Sequence, residues 1–431
     1  MTIESDAPSS GPEGGATMRL EIARLGSQGD GVAERPDGGA VFVPFALPGE
    51  RVQAVVSGER GELATIEQAS PDRVAPLCRH FTRCGGCAMQ HLATVPYAAW
   101  KRQLVVEAFN QRGIAADVAP LVSVGTSTRR RAALSTRATK NGIVLGFHES
   151  RGTTVVDLAE CPVLTPRLAA MLPALRGLLS SLPRFEGEAR VRVLEADNGY
   201  SVAIDDALAG RKADADLVSR LAIAARAIPG LVRLAIDGDV IYQSATPTIA
   251  MGRASVTPPP DVFLQAAKAA EDALARIVVE ALPKKVSRVV DLFAGVGAFT
   301  FHLAERARVL ALDSDAGALE ALSRAARNAQ GLKPIEVRHR DLFREPFSRK
   351  ELEGFDAAVI DPPRAGAKAQ SEMLAKSKVP LVVAVSCNPA TLARDARILI
   401  DGGYRLGRVT PVDQFVFSDH VEVVAVFKRE K

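Results

Sequence analysis

Apolar residues in the first 75 positions recur at short intervals between turn formers. The runs "MRLEIARL", "GAVFVPFA", "RVQAVVSGE" and "GELATIEQA" are separated by Gly, Asp and Pro, a pattern of short strands. The stretch "SQGDGVAERPDGG" between the first two reads as a glycine-rich connection. Strands of this length packed into residues 17–75 predict a small closed barrel, OB-like in size. Residues 1–16, rich in Ser, Pro, Gly and Glu, predict a disordered tail.

The pattern becomes mixed over residues 76–256. Helical periodicity marks "YAAWKRQLVVEAFNQRG", which ends on a Gly stop, and "RLAAMLPALRGLLSSL". Strand-like pieces lie between and after them: "RAALSTRA", "GIVLGFHE", "TTVVDL", "ARVRVLEAD", "YSVAID" and "VRLAIDGDVIYQSA". This region is α+β, with no topology implied. After Pro258, Pro259 and Pro260 the pattern changes again. "DVFLQAAKAAEDALARIVVEAL" predicts a long helix, followed by buried strands "SRVVDLFAG", "ARVLALDS", "FDAAVIDPP" and "PLVVAVSC" with helical segments between them. That alternation predicts an α/β domain over 257–431 with a doubly wound, Rossmann-like parallel sheet. The last two runs, "YRLGRVTPVDQF" and "HVEVVAVFKR", have no helix between them and predict an antiparallel edge.

Composition narrows the class. The 431 residues are 47% hydrophobic and 24% charged, enough for two or three solvated domains with their own cores. A formal charge of +4 points only weakly to nucleic acid. Local clusters say more: Arg129-Arg130-Arg131 with Arg137 and Lys140, and Arg338-His339-Arg340, are solvated faces or RNA contacts. No apolar run approaches the roughly 18 residues that span a bilayer, and the N-terminus has no signal-peptide pattern. The expectation is a cytoplasmic protein with reduced thiols that serve metals or catalysis.

Candidate chemistry clusters at strand ends. "VVDLFAGVGAFT" places Gly295 and Gly297 between a strand and a helix, where backbone can approach a ligand closely. Asp313 ends the next strand, as a ribose-binding carboxylate would. Asp341 and Asp361 follow two later strands. Each Asp alone reads equally as a helix cap; their recurrence favours a ligand crevice. The loop lacks the third glycine of GxGxxG, which favours S-adenosylmethionine over NAD.

The cysteines divide into a cluster and a singleton. Cys78, Cys84 and Cys87 in "CRHFTRCGGC", with Cys161, are soft ligands for a [4Fe–4S] cluster, with zinc as the alternative. Cys387, in "VAVSCNPATLARD", stands after an apolar strand and before a helix, whose N-terminus is expected to lower the thiol pKa. Buried lone cysteines are usually small hydrophobes; at this edge of the sheet a nucleophile explains it better.

Together, "ALPGERV", "CRHFTRCGGCAMQH" with "ECPVL", "DLFAGVGAF", "DPPRAG", "SCNPATLARD" and "HVEVVAVF" resemble, in order and along nearly the whole chain, the RNA uracil-C5 methyltransferase family. Its members act on tRNA and 23S ribosomal RNA. The resemblance implies a TRAM-type RNA-binding barrel at 17–75, a central iron–sulfur domain at 76–256 and a class I S-adenosylmethionine-dependent domain at 257–431. It places cluster ligands on Cys78, Cys84, Cys87 and Cys161. It places methyl-donor contacts on Gln265, Phe293, Asp313 and Asp361, with Asp341 as a further one, the nucleophile on Cys387 and the base on Glu422. Two positions depart from the family: Ala267 and Ala298 stand where it often has Asn, both on the donor side.

The chemistry so implied is addition of Cys387 to uracil C6, methylation of C5 and removal of the C5 proton by Glu422. Asp361 is also placed to hydrogen-bond the uracil edge. The base must be unstacked to be reached, so the target is expected to be a loop or a flipped nucleotide. The resemblance implies an RNA partner, with rRNA favoured over tRNA because the TRAM-plus-cluster arrangement resembles the rRNA-acting members more closely. The protein is expected to be a monomer with no membrane partner. Rival readings are a cytosine-C5 or exocyclic-amine methyltransferase, a non-catalytic RNA-binding protein, and a redox protein using the cluster.

Overall fold

The computed structural model describes residues 15–35, 38–183, 187–208, 210 and 212–429. The expected tail falls outside these residues up to residue 14, and Ala16 already begins the first strand. The chain divides into two units. One comprises residues 1–77, 87–100 and 417–419; the other comprises 78–86, 101–416 and 420–431.

In the first unit six strands run in the order Ala16–Glu21, Arg51–Ser57, Arg60–Gln68, Ala40–Val43, Gly31–Glu34 and Arg24–Leu25. The strands at the two ends of this order are consecutive in sequence, so the sheet curls into a barrel. Leu20, Ile22, Val41, Val43, Val52 and Ala54 fill it. The stretch read as a glycine-rich connection contains the strand Gly31–Glu34, whose Val32 and Ala33 are buried; it pairs with Ala40–Val43. The "ALPGERV" loop is tied by buried Glu50, which accepts from the Leu47 amide at 2.8 Å and from Arg73 Nε at 2.6 Å. Burial opposes ionisation there, but Arg73 and two backbone amides hold the carboxyl below its usual range.

The second unit holds two large sheets and a two-stranded one, in which Ile249–Met251 pairs with Ala254–Val256. The central one has seven strands, with Ala189–Ala196 in the middle. Its core packs against the helices Leu172–Ser180 and Ala215–Arg226. The helix expected at 167–182 is two, Pro166–Ala170 and Leu172–Ser180, because Pro173 supplies no amide to continue the first.

The other sheet has eight strands in the order Ile335–His339, Arg308–Asp313, Arg288–Leu292, Ala357–Ile360, Leu381–Ser386, Glu422–Arg429, Tyr404–Asp413 and Val122–Ser123. The first five are parallel and the next two antiparallel, the doubly wound arrangement expected. The antiparallel pair is not the edge, however: Val122–Ser123 adds beyond it. Val105, Phe109, Ile114 and Val118 join this sheet's core, so the stretch around 105–123, read with the central domain, packs with the C-terminal one.

The long helix expected at 261–282 begins only at Lys268. Before it the chain is extended. The Arg130 amide donates to the Ala266 carbonyl at 2.8 Å, and Arg129 bridges Ala267. These backbone bonds replace those a longer helix would have made, and they leave Gln265 outside the helix. Among the described residues no helix is long and apolar enough to cross a membrane.

Candidate active site

The carboxyl ends of the parallel strands and the loops after them enclose a cavity of about 350 Å³. After Arg288–Leu292 the chain turns sharply. Phe293, Gly295 and Gly297 all have positive φ (64°, 53° and 101°). A Cβ on Gly297 would lie 2.6 Å from the Phe301 ring, so this position needs glycine on both counts. Asp313, ending the next strand, accepts from the Gly295 amide at 2.8 Å and the Asp315 amide at 2.8 Å. Its carboxylate therefore braces the glycine turn as well as lining the cavity. Asp291, not singled out in the sequence, is buried beneath and accepts from Thr300 Oγ1 at 2.5 Å. Burial, with Asp361 and Asp313 nearby, pushes it up to about 7.

Two further motifs meet at the next strand ends. Asn388 caps the helix Pro389–Asp401, accepting from the Ala390 amide. Its Nδ2 donates to the Arg364 carbonyl at 3.2 Å, and Thr391 Oγ1 donates to the same oxygen at 3.3 Å. Asp395 accepts from the Ala367 amide at 2.7 Å. The "DPPRAG" loop is thus latched to the head of the helix that follows Cys387.

Gln265, Asp361, Cys387 and Glu422 all line the cavity, with Phe293 and Gly295. A relay of amides joins three of them. Gln414 Nε2 donates to Glu422 Oε1 at 3.2 Å and to Gln265 Oε1 at 2.7 Å, and Gln265 Nε2 reaches Asp361 Oδ2 at 3.4 Å. Gln414 was not picked out from the sequence; its place beside Asp413 at a strand end was the available signal. Asp413 itself pairs at 2.9 Å with Lys101, both fully buried. Lys101 also donates to the carbonyls of Phe415 and His420, holding the turn between Gln414 and Glu422.

Electrostatics in the cavity run against one expectation. Cys387 does precede a helix, yet its thiol is pushed up to about 11. Burial is the main cause, followed by the negative charges of Glu422 and Asp361; Arg364 only partly offsets them. Burial likewise raises Glu422 to about 7, against the Gln414 hydrogen bond and Lys101. Asp361 is raised well above its usual range by burial and by Glu422. Three acids crowd one water-poor space, and each disfavours charge on the others.

Other expected residues lie elsewhere. Gly297 supports the turn but does not line the cavity, and Asp341 does not line it either. Asp341 caps its own turn, accepting from the Phe343 and Arg344 amides; Phe343, two residues on, reaches the cavity. In the basic cluster Arg130 is buried against Glu271 at 2.8 Å, and Arg131 stacks over Phe263 at 4.7 Å. Arg340 is committed to Glu351 at 2.6 Å. Arg137, Lys140, Arg338 and His339 in the same two runs are exposed.

None of the five cysteines is in a disulfide. Burial raises the Cys78 and Cys84 thiols, and Cys161 adds to the rise in each, so these three stand within electrostatic range of one another. A Cβ on Gly85 would meet the His148 carbonyl at 3.0 Å, which is why glycine follows Cys84. Cys87 is half-buried in the first unit. Among the described residues no group of three or more His, Cys, Asp or Glu stands in metal-binding geometry.

Residues 233–430 match the family described as tRNA (uracil-5-)-methyltransferase, and residues 13–57 match the TRAM domain. A Brucella suis protein described as an uncharacterized RNA methyltransferase is 45% identical over 96% of this chain and 98% of its own length. The 23S rRNA (uracil(1939)-C(5))-methyltransferase RlmD of Shewanella sediminis is 31% identical over 98% of both chains. Among solved structures, the Pyrococcus abyssi tRNA (uracil-54, C5)-methyltransferase in complex with S-adenosyl-L-homocysteine superposes with a TM-score of 0.71. It is 24% identical, covers 95% of this chain and 100% of its own, and shares the fold. With such likeness running along almost its full length, the chain belongs to the RNA uracil-5-methyltransferase family of enzymes.

Proposed function

We propose that the protein transfers a methyl group from S-adenosylmethionine to C5 of a uridine in RNA, with Cys387 as nucleophile and Glu422 as base. The observation that carries this reading is the convergence of Cys387, Glu422, Asp361 and the Gly295 turn on one cavity. The donor supplies an electrophilic methyl on a positively charged sulfur. Asp313 and the turn it braces are placed for the ribose end of such a ligand.

Uracil C5 is a weak nucleophile until sulfur adds at C6 and turns the ring into an enolate. Cys387 is held protonated in the free protein, so its proton passes to solvent and the thiolate then adds to C6. Asp361, raised and therefore able to keep its own proton, donates to or accepts from the uracil edge. After C5 takes the methyl, Glu422 removes the remaining C5 proton; its position near 7 suits a base working at neutral pH. Loss of that proton expels the Cys387 thiolate and restores the ring. Gln414 orients Glu422 throughout.

Ribosomal RNA is the favoured substrate, supported by the 31% identity to the Shewanella sediminis enzyme over the full length. Nucleoside mass spectrometry of 23S rRNA from cells with and without the gene tests this: 5-methyluridine should vanish from one 23S site in the deletion. An unchanged 23S profile with loss from tRNA would redirect the substrate, and loss of 5-methylcytidine instead would overturn the reaction.

The electrostatically coupled thiols Cys78, Cys84 and Cys161, with Cys87 three residues beyond Cys84, suit a soft metal centre. A [4Fe–4S] cluster is the reading they favour, in a stapling role with no part in methyl transfer. Protein purified without oxygen should contain iron and labile sulfide in equal amounts; zinc alone would contradict it.

A further inference from the structure

Glu271 lines the same cavity but has no part in the chemistry above. It sits in the first turn of the helix Lys268–Ala281 and is 1% exposed. Its Oε2 receives Arg130 Nη2 at 2.8 Å. Its Oε1 is buried and meets no hydrogen-bond donor among the described residues; the Lys268 ammonium stands 3.9 Å from it, beyond hydrogen-bond reach, and is engaged by Asp272. A buried carboxylate oxygen left without a donor costs free energy. Such an orphan, on a residue that lines a ligand cavity, calls for a donor from the ligand.

We propose that Glu271 binds the α-ammonium group of the methyl donor through Oε1. This rests on the reading of the cavity as the donor site. Three substituents leave the donor's sulfur: the methyl, the adenosyl group and the aminobutyrate tail. Cys387 marks where the methyl must point, and Asp313 marks the adenosyl end. The ammonium is the donor's cationic N–H group, and it needs a carboxylate that is charged before the ligand arrives. Asp361 and Glu422 are poor candidates, because they are engaged by Gln265 and Gln414 and belong to the proposed chemistry. Both oxygens of Asp313 already accept backbone amides. Glu271 has a guanidinium to sustain its charge and one oxygen to spare. Burial nonetheless raises its carboxyl, ahead of the lowering by Arg130, so a second cation at Oε1 offsets a desolvation that Arg130 alone does not cancel. Ala267, one turn earlier on the chain, has no polar side-chain atom to share the task.

The test is calorimetric binding of two probes to the full chain: S-adenosylhomocysteine, which carries the ammonium, and 5′-methylthioadenosine, which lacks the whole tail. Glu271→Gln should weaken S-adenosylhomocysteine about tenfold or more while leaving methylthioadenosine unchanged; Glu271→Asp should fall between. The ratio of the two affinities is the readout, since partial unfolding of a variant lowers both alike. An unaltered ratio in both variants overturns the assignment and makes Glu271 only a partner for Arg130. If the wild-type protein binds neither probe, or if Asp313→Asn leaves methylthioadenosine binding intact, the donor-site reading itself falls.

Discussion

A thiol held at about 11 is an unusual resting state for the nucleophile we propose, since about one molecule in a thousand carries a thiolate at pH 8. The cause is burial first and Glu422 second, so the proposed nucleophile and the proposed base hold each other in check. Removing the charge at 422 must lower the Cys387 pKa and enlarge the thiolate fraction at a given pH. Glu422→Gln should therefore speed alkylation of Cys387 by iodoacetamide at pH 8 several-fold while abolishing methyl transfer, and the pH at half-maximal alkylation should move down. An unchanged or slower alkylation would show that Glu422 does not govern the sulfur. Cys387 and Asp361 stood out by their strand-end positions and Glu422 only through the family resemblance, but the charge states of all three were not legible: a helix N-terminus argues for a low thiol pKa, and only the folded cavity shows two carboxyls and burial outweighing it. Glu271 escaped for the same reason, as a charge in a helical pattern that reads as solvated.

Elements carry the site by a few buried fastenings. The periodicity of the chain delivered the parallel sheet, because strands covered on both faces are continuous apolar runs. It misplaced the start of the helix at Lys268, where apolar residues at helical spacing are claimed instead by backbone bonds to Arg129 and Arg130. It also gave no sign that Lys101, 312 residues before Asp413 in the chain, would be fully buried against it. That pair anchors the turn that carries Gln414 and leads to Glu422. Lys101→Met should cost about 3–5 kcal/mol in unfolding free energy by stranding a buried carboxylate. The double variant Lys101→Met/Asp413→Leu should recover part of that loss, the rest reflecting the Phe415 and His420 carbonyls left without their donor. Losses that simply add in a denaturation cycle would contradict a coupled pair.

At the scale of the whole molecule, the parts are a barrel, a strand-rich middle with thiols, and a sheet whose carboxyl edge borders the cavity. They do not follow the chain strictly: residues 87–100 and 417–419 group with the barrel, and those around 105–123 with the C-terminal sheet. Of the basic runs that suggested RNA, Arg130 and Arg340 are internal fastenings to Glu271 and Glu351, while Arg137, Lys140, Arg338 and His339 are exposed; shape and the unstacked target base add to what such charges can recognise. The central claim concerns a transient bond between sulfur and C6 of that base. RNA carrying 5-fluorouridine cannot release a C5 proton, so the covalent adduct should persist once the methyl has been transferred. Incubation with S-adenosylmethionine should yield a denaturation-stable protein–RNA species whose crosslinked peptide maps to Cys387. Cys387→Ala should give none. A wild-type protein that methylates ordinary RNA yet never traps the fluorinated substrate would contradict the account.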